Sequence, residues 1–202
     1  MATTTTNYGF DIPQSTDLVK DGATAIATLG QDIDTAMNTA LGTKKAGMVL
    51  LNTTSFSGVA SQSLNNVFSA TYTNYRILVK ASQSAAEWLA IRMRVGGADA
   101  TTNAYSYVAL RGTATDSFSG TATMGYISHH TTGQANKRMS IDLFNPFDAA
   151  NTFSLSTGLT VTPVVGLMSF EHQVATSYDG FTLLSLTGAT ITGEVSVYGY
   201  NK

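Results

Sequence analysis

The sequence predicts a mainly β chain: an N-terminal extended arm and a single helix, followed by an antiparallel β-sandwich that is jelly-roll-like. Three observations carry this. Charged residues are only 12 % of the chain, against a usual share of roughly 25 %. Thr, Ser and Gly fill the gap, and the branched Cβ of Thr suits a pleated strand while Ser, Gly and Asn suit turns. A helical period is sustained only within residues 8–41. After about residue 47 the chain reads in short alternating runs with no helical segment between them, which excludes parallel βαβ arrangements. The expected division is residues 1–45 for arm and helix and residues 46–202 for the β-sandwich head.

Residues 1–7 are polar and Thr-rich, as in an extended arm. Tyr8, Phe10 and Ile12 then alternate, and Pro13 prevents continuation as a central strand. Ser15, Thr16 and Asp17 are good helix N-caps. Spacings of three and four put Ile26, Leu29, Ile33 and Met37 on one stripe of the following helix. Written as heptads, Val19, Ile26, Ile33 and Ala40 fall at a, and Gly22, Leu29 and Ala36 at d. Gly22 and Gly30 each cost about 1 kcal/mol against Ala, so a break is expected near Gly22, with Gly42 as the C-cap. A helix of ~20 residues with an apolar stripe needs a partner. That partner is either one face of the β domain or the same helix in other subunits. Lys44-Lys45-Ala46-Gly47 is the expected hinge.

Strands are expected from Met48 onward: the run Met48–Leu51, then Tyr75–Lys80, then Trp88–Val95. The last alternates most cleanly, with Leu89, Ile91, Met93 and Val95 on one face and Trp88, Arg92 and Arg94 on the other. Ala104–Arg111, Thr121–His129, Arg138–Phe144, Phe153–Leu159, Gly166–Val174, Gly180–Ser185 and Gly188–Tyr200 follow. Asn145-Pro146 is a breaker between two of them.

The composition removes several functions. Net charge is −2, so no basic excess exists to neutralise phosphates, and no nucleic-acid partner is expected. Absence of cysteine excludes disulfides, thiolate metal sites and cysteine nucleophiles. The Met-Ala-Thr-Thr-Thr-Thr start has neither the basic nor the apolar region of a signal peptide, and no run nears ~18 apolar residues, so no membrane insertion is expected. The adjacent His129 and His130 would point to opposite faces of a strand, which does not suit one metal ion, and His172 stands far from both. Glycosidase chemistry needs two placed carboxylates. The head offers Glu87, Asp99, Asp116, Asp142, Asp148, Glu171, Asp179 and Glu194, several of them in turn contexts where Asp has a structural role. No nucleophile elbow or phosphate loop is present. No enzyme activity, metal or cofactor is expected. Trp88, Tyr105 and Tyr107 are the candidate surface-recognition residues, because aromatic platforms bind sugars and anchor protein interfaces. The competing reading has Trp88 filling the second face of the sandwich or a subunit contact.

Two stretches carry a resemblance. Asn7-Tyr8-Gly9-Phe10-Asp11-Ile12-Pro13, continuing through Asp21-Gly22-Ala23-Thr24-Ala25-Ile26 and Leu29-Gly30-Gln31-Asp32-Ile33-Asp34, resembles the N-terminal segment of bacteriophage virion proteins. In those an aromatic-polar opening and a proline precede a helix reading roughly D-G-x-x-A-I-x-x-L-G-x-x-I-D. Asn74–Val79, Trp88–Arg94 and the run Gly193–Tyr200 are similar to the β-sandwich heads of phage fibres. The resemblance implies a virion protein made in the host cytoplasm and assembled as a homotrimer. Its N-terminal residues Tyr8, Phe10, Ile12, Ile26, Leu29, Ile33 and Met37 would serve docking and oligomerisation, with the head outward. Its implied partners are other virion proteins of tail or capsid and a host-surface glycan. No catalytic residue carries over. The expected role is a short tail fibre or adsorption protein; a capsid decoration or head-fibre protein, and a carbohydrate-binding module, remain open alternatives.

Overall fold

The computed structural model describes residues 3–6, 8–12, 18–41, 47–111, 117–128, 136–160 and 165–201. The chain divides into two units, Met1–Ala46 and Gly47–Lys202.

In the first unit β1 (Thr3–Thr4) and β2 (Asp11–Ile12) form an antiparallel pair. Thr5 closes the turn between them. Its amide donates to the Phe10 carbonyl at 2.9 Å, its hydroxyl accepts from the Phe10 amide at 2.9 Å, and its carbonyl accepts from the Gly9 amide at 3.0 Å. Gly9 sits at φ +69°, a conformation that only a residue without Cβ adopts cheaply. Helix α1 (Val19–Leu41) runs 23 residues without interruption through both Gly22 and Gly30. The expected break at Gly22 does not occur. Glycine lowers helix propensity but keeps its backbone donor and acceptor, and the Ala-rich flanks sustain propagation. The expected caps Ser15, Thr16, Asp17 and Gly42, the hinge residues Lys44 and Lys45, and Pro13 lie outside the described residues.

The second unit begins with β3 (Met48–Val59), β4 (Ser61–Leu64), β5 (Asn74–Gln83), β6 (Leu89–Val95), β7 (Ala98–Asp99), β8 (Tyr105–Arg111), β9 (Ser117–Ala122) and β10 (Gly125–Tyr126). It continues with β11 (Asn136–Phe144), β12 (Thr152–Thr160), β13 (Val165–His172), β14 (Gly180–Ser185) and β15 (Ile191–Tyr200). Every pairing among them is antiparallel. The strands form an eight-stranded sheet in the order β3-β15-β5-β11-β12-β13-β8-β9 and a five-stranded sheet built on β10-β6-β14-β4, with β7 on β6. One continuous core joins the two sheets, so the head is an antiparallel β-sandwich. Ile77, Val79, Ile141, Leu143, Val195 and Val197 come from the large sheet, and Leu89, Ile91, Met93, Phe181 and Leu183 from the small one.

Two differences from the sequence reading have local causes. The run Thr121–His129 is not one strand: β9 ends at Ala122, and β10 pairs with β6 of the other sheet. The crossing brings the backbone against Phe170, where a Cβ on Gly125 would lie 2.5 Å from the ring. The short run from Met48 extends to Val59 through mostly polar residues, because β15 supplies pairing partners along that length, with two register shifts.

Candidate interaction surfaces

Two surfaces gather residues singled out by sequence, and a third lies on the large sheet. The first is on the N-terminal unit. The Tyr8 and Phe10 rings stack at 5.6 Å, and with Ile33, Ala36, Met37 and Ala40 they line a groove of about 310 Å3. The hairpin is thus laid on the C-terminal half of α1. The stripe stays open to solvent: Tyr8 is 74 % exposed, Ile26 66 % and Met37 55 %. Ile12 and Ile33 are also exposed, and Leu29 is half-buried.

The second is aromatic. Trp88, just ahead of β6, packs against Tyr126 at 5.0 Å and Tyr107 at 6.4 Å, and the two tyrosines meet edge-on at 4.7 Å. All three are half-buried. Tyr105 does not belong with them. It is 0 % exposed, its hydroxyl accepts from the Met93 amide at 2.9 Å and donates to the Ala100 carbonyl at 3.1 Å, and its ring stacks on His172 at 4.0 Å. Tyr105 is a core residue that ties the two sheets together, not a surface-recognition residue. Tyr126 is the member of the cluster that sequence reasoning missed; its two-residue strand is too short to show a period.

The third surface was not anticipated. On β12 the inward positions are Thr152, Ser154, Ser156 and Gly158, while Phe153, Leu155 and Leu159 point outward, Leu159 being 55 % exposed. Next to β12, the outward residues of β13 include Val165 and Leu167, and those of β8 include Val108 and Leu110, all exposed. The register places Leu155 beside Ser169 and Val108, and Thr157 beside Leu167 and Leu110. The same face holds a shallow groove of about 670 Å3 where β5, β11, β12 and β15 meet.

Several of the head's charged groups are held by structural partners. Arg76 donates to Asp142 through Nε at 2.8 Å and Nη2 at 2.7 Å, and the Tyr200 hydroxyl donates to the same carboxylate at 2.7 Å. The hydrogen bonds from Arg76 and then Tyr200 outweigh burial and hold the Asp142 pKa below its ordinary value. Asp99 pairs with Arg94, and Glu87 accepts from Ser185 and Thr187. Glu171 accepts from Asn151 at 2.8 Å. Lys137 is buried, and desolvation pushes its ammonium down to about 8. Among the described residues no three His, Asp or Glu side chains are grouped as for a metal ion. His129, His130 and Asp116 lie outside the described residues. Among the described residues no helix is long and apolar enough to cross a membrane.

No protein-family model matches the chain, and no curated protein matches it in sequence.

Proposed function

We propose that the chain is a non-enzymatic structural protein of a tailed-phage virion, a short tail fibre or adsorption protein working as a homotrimer. The observation that carries this reading is the open apolar stripe of α1 with the Tyr8–Phe10 stack set on it. A helix that leaves Ile26 and Met37 in water gains its stability by packing against something else. A copy of itself, or a neighbouring virion protein, supplies such a surface. The aromatic-proline opening and the helix pattern that follows it support the phage assignment through resemblance. The head supports an outward, binding role: the half-buried Trp88–Tyr107–Tyr126 cluster is of the kind that stacks on a sugar ring of a host-surface glycan.

Light scattering on the purified chain at micromolar concentration tests the reading. Three chains per particle are expected, and a monomer overturns it. A capsid-decoration or head-fibre role draws on the same features, since α1 extends only about 34 Å at 1.5 Å per residue. Gold labelling of intact virions separates the two, with tail label expected and capsid label favouring decoration.

A further inference from the structure

We infer that the outer face of β12, β13 and β8 is a subunit interface, covered in the assembled protein by a second copy of this chain. This deepens the homotrimer reading by naming a surface, and it rests on that reading only for the number of copies.

The alternation of β12 is the first ground. Side chains on a strand alternate strictly, so a slip of one residue would bring Phe153, Leu155 and Leu159 inside. The ladders to β11 and β13 instead hold these residues outside, and hydroxyls face the core. Ser156 meets its need there by donating to the Ile127 carbonyl at 3.0 Å. The neighbouring strands carry apolar residues on both faces over part of their length: Met168 and Phe170 point inward on β13 and Leu167 outward, while Ala109 points inward on β8 and Val108 and Leu110 outward. A solvated face of an antiparallel sheet reads polar, so apolar residues on the outward face stand out against that pattern.

Area is the second ground. At their observed exposures the outward apolar side chains of these three strands present roughly 600 Å2, the top of the range for the largest patch on a monomer. With a polar rim this approaches the ~800 Å2 that each partner of a standard interface covers.

Charge decides what lies on it. The central rows, Leu155–Ser169–Val108 and Thr157–Leu167–Leu110, hold no charged residue, while Glu171, Arg138 and Asp142 stand at the margins. That is the layout of an interface core and its rim. A neighbouring copy laid over such a patch meets no charge at its centre. The patch has no cluster of basic residues for lipid headgroups, and its centre has no carboxylate or amide to fix a sugar. A second copy is the occupant it fits.

The chain has no cysteine, so a single introduced thiol is a clean probe. In the full-length protein, Thr157→Cys treated with a short bismaleimide should give covalently joined chains, while Thr101→Cys, on an exposed loop, should not. Independently, Leu155→Lys with Leu167→Lys should weaken self-association about 100-fold in sedimentation velocity with an unchanged circular dichroism spectrum. A folded lysine variant that stays trimeric with unchanged self-association overturns this interface and leaves the trimer reading intact. A cross-linked dimer overturns the trimer and leaves the interface. A monomer overturns both. If the lysine variant unfolds, Leu155→Thr with Leu167→Thr, a residue suited to exposed strand positions, is read in the same way.

Discussion

His172 and Tyr178 share a hydrogen bond of 2.7 Å between imidazole Nε2 and the phenol oxygen, with both side chains buried. The Tyr105 ring stacks on the imidazole at 4.0 Å. Burial holds the His172 pKa below its ordinary value, and the Ala104 carbonyl opposes this only in part. The unfolded chain takes up a proton on this residue as pH falls through about 6.5, whereas the folded chain resists until lower pH. Stability is therefore complete above about 6.5 and declines below it. The urea midpoint of the wild type should drop between pH 7 and pH 5. His172→Phe should cost about 1 kcal/mol at pH 7 by removing the imidazole partner of the Tyr178 hydroxyl, yet flatten that drop. A drop of equal size in the variant would assign the sensitivity to other groups.

Asp142 gives the opposite pH dependence. Its folded pKa is depressed, so its contribution is present above about 3.9 and is lost as pH falls through the folded value. The side chains of the Arg76–Asp142 pair remain 34 % and 24 % exposed, so solvent screens it. Asp142→Asn should cost about 1 kcal/mol, measured by urea unfolding at pH 7, and less at high salt. An unchanged midpoint would show that the bidentate pair and the Tyr200 bond contribute nothing net.

Two glycines should respond in opposite directions to alanine. Gly30 lies on α1 with nothing within 4 Å of an added Cβ, so Gly30→Ala should stabilise the helix by about 1 kcal/mol and raise the 222 nm signal. Gly180 opens β14, where an added Cβ would lie 2.0 Å from the Leu64 carbonyl oxygen. Gly180→Ala should cost about 3 kcal/mol by forcing β4 and β14 apart. Thermal unfolding of both variants would test the contrast, and a neutral Gly180→Ala would refute the close approach.

Deleting residues 1–14 removes the Tyr8–Phe10 stack while keeping α1. The expected outcome is an unchanged oligomer by light scattering with loss of incorporation into virions. Retained incorporation would move the docking role to the helix or the head.

Much of the head is legible in the sequence. Leu89, Ile91 and Met93 alternate with Ala90, Arg92 and Arg94, and the period gives a strand whose three apolar positions are fully buried; Val95, on the same face by that period, is 43 % exposed at the strand's end. Met139, Ile141 and Leu143 on β11 behaved the same way. Alternation could not tell inside from outside on β12, because register is fixed by neighbours that are distant in sequence. Tyr105 and Tyr107 share one face of β8, yet only Tyr105 sits deep between the sheets; depth along a strand leaves no trace in its period. β4, Ser61–Leu64, has no apolar alternation at all and exists because β14 offers it an edge. On the N-terminal unit, the Tyr8, Phe10, Ile33 and Met37 positions were legible, but their shared groove follows from the hairpin folding back on the helix.

The place of β15 between β3 and β5 sets an order of events at the ribosome. The Thr53 and Ser196 hydroxyls, 3.1 Å apart across that ladder, are separated by 143 residues. The first strand of the head therefore emerges long before the strand it pairs with, and local turns cannot guide it there. A nascent chain halted before Ile191 leaves β3 and β5 as two unpaired edges, the kind of surface that recruits chaperones and proteases or seeds aggregation. Only a chain translated through β15 can close the large sheet.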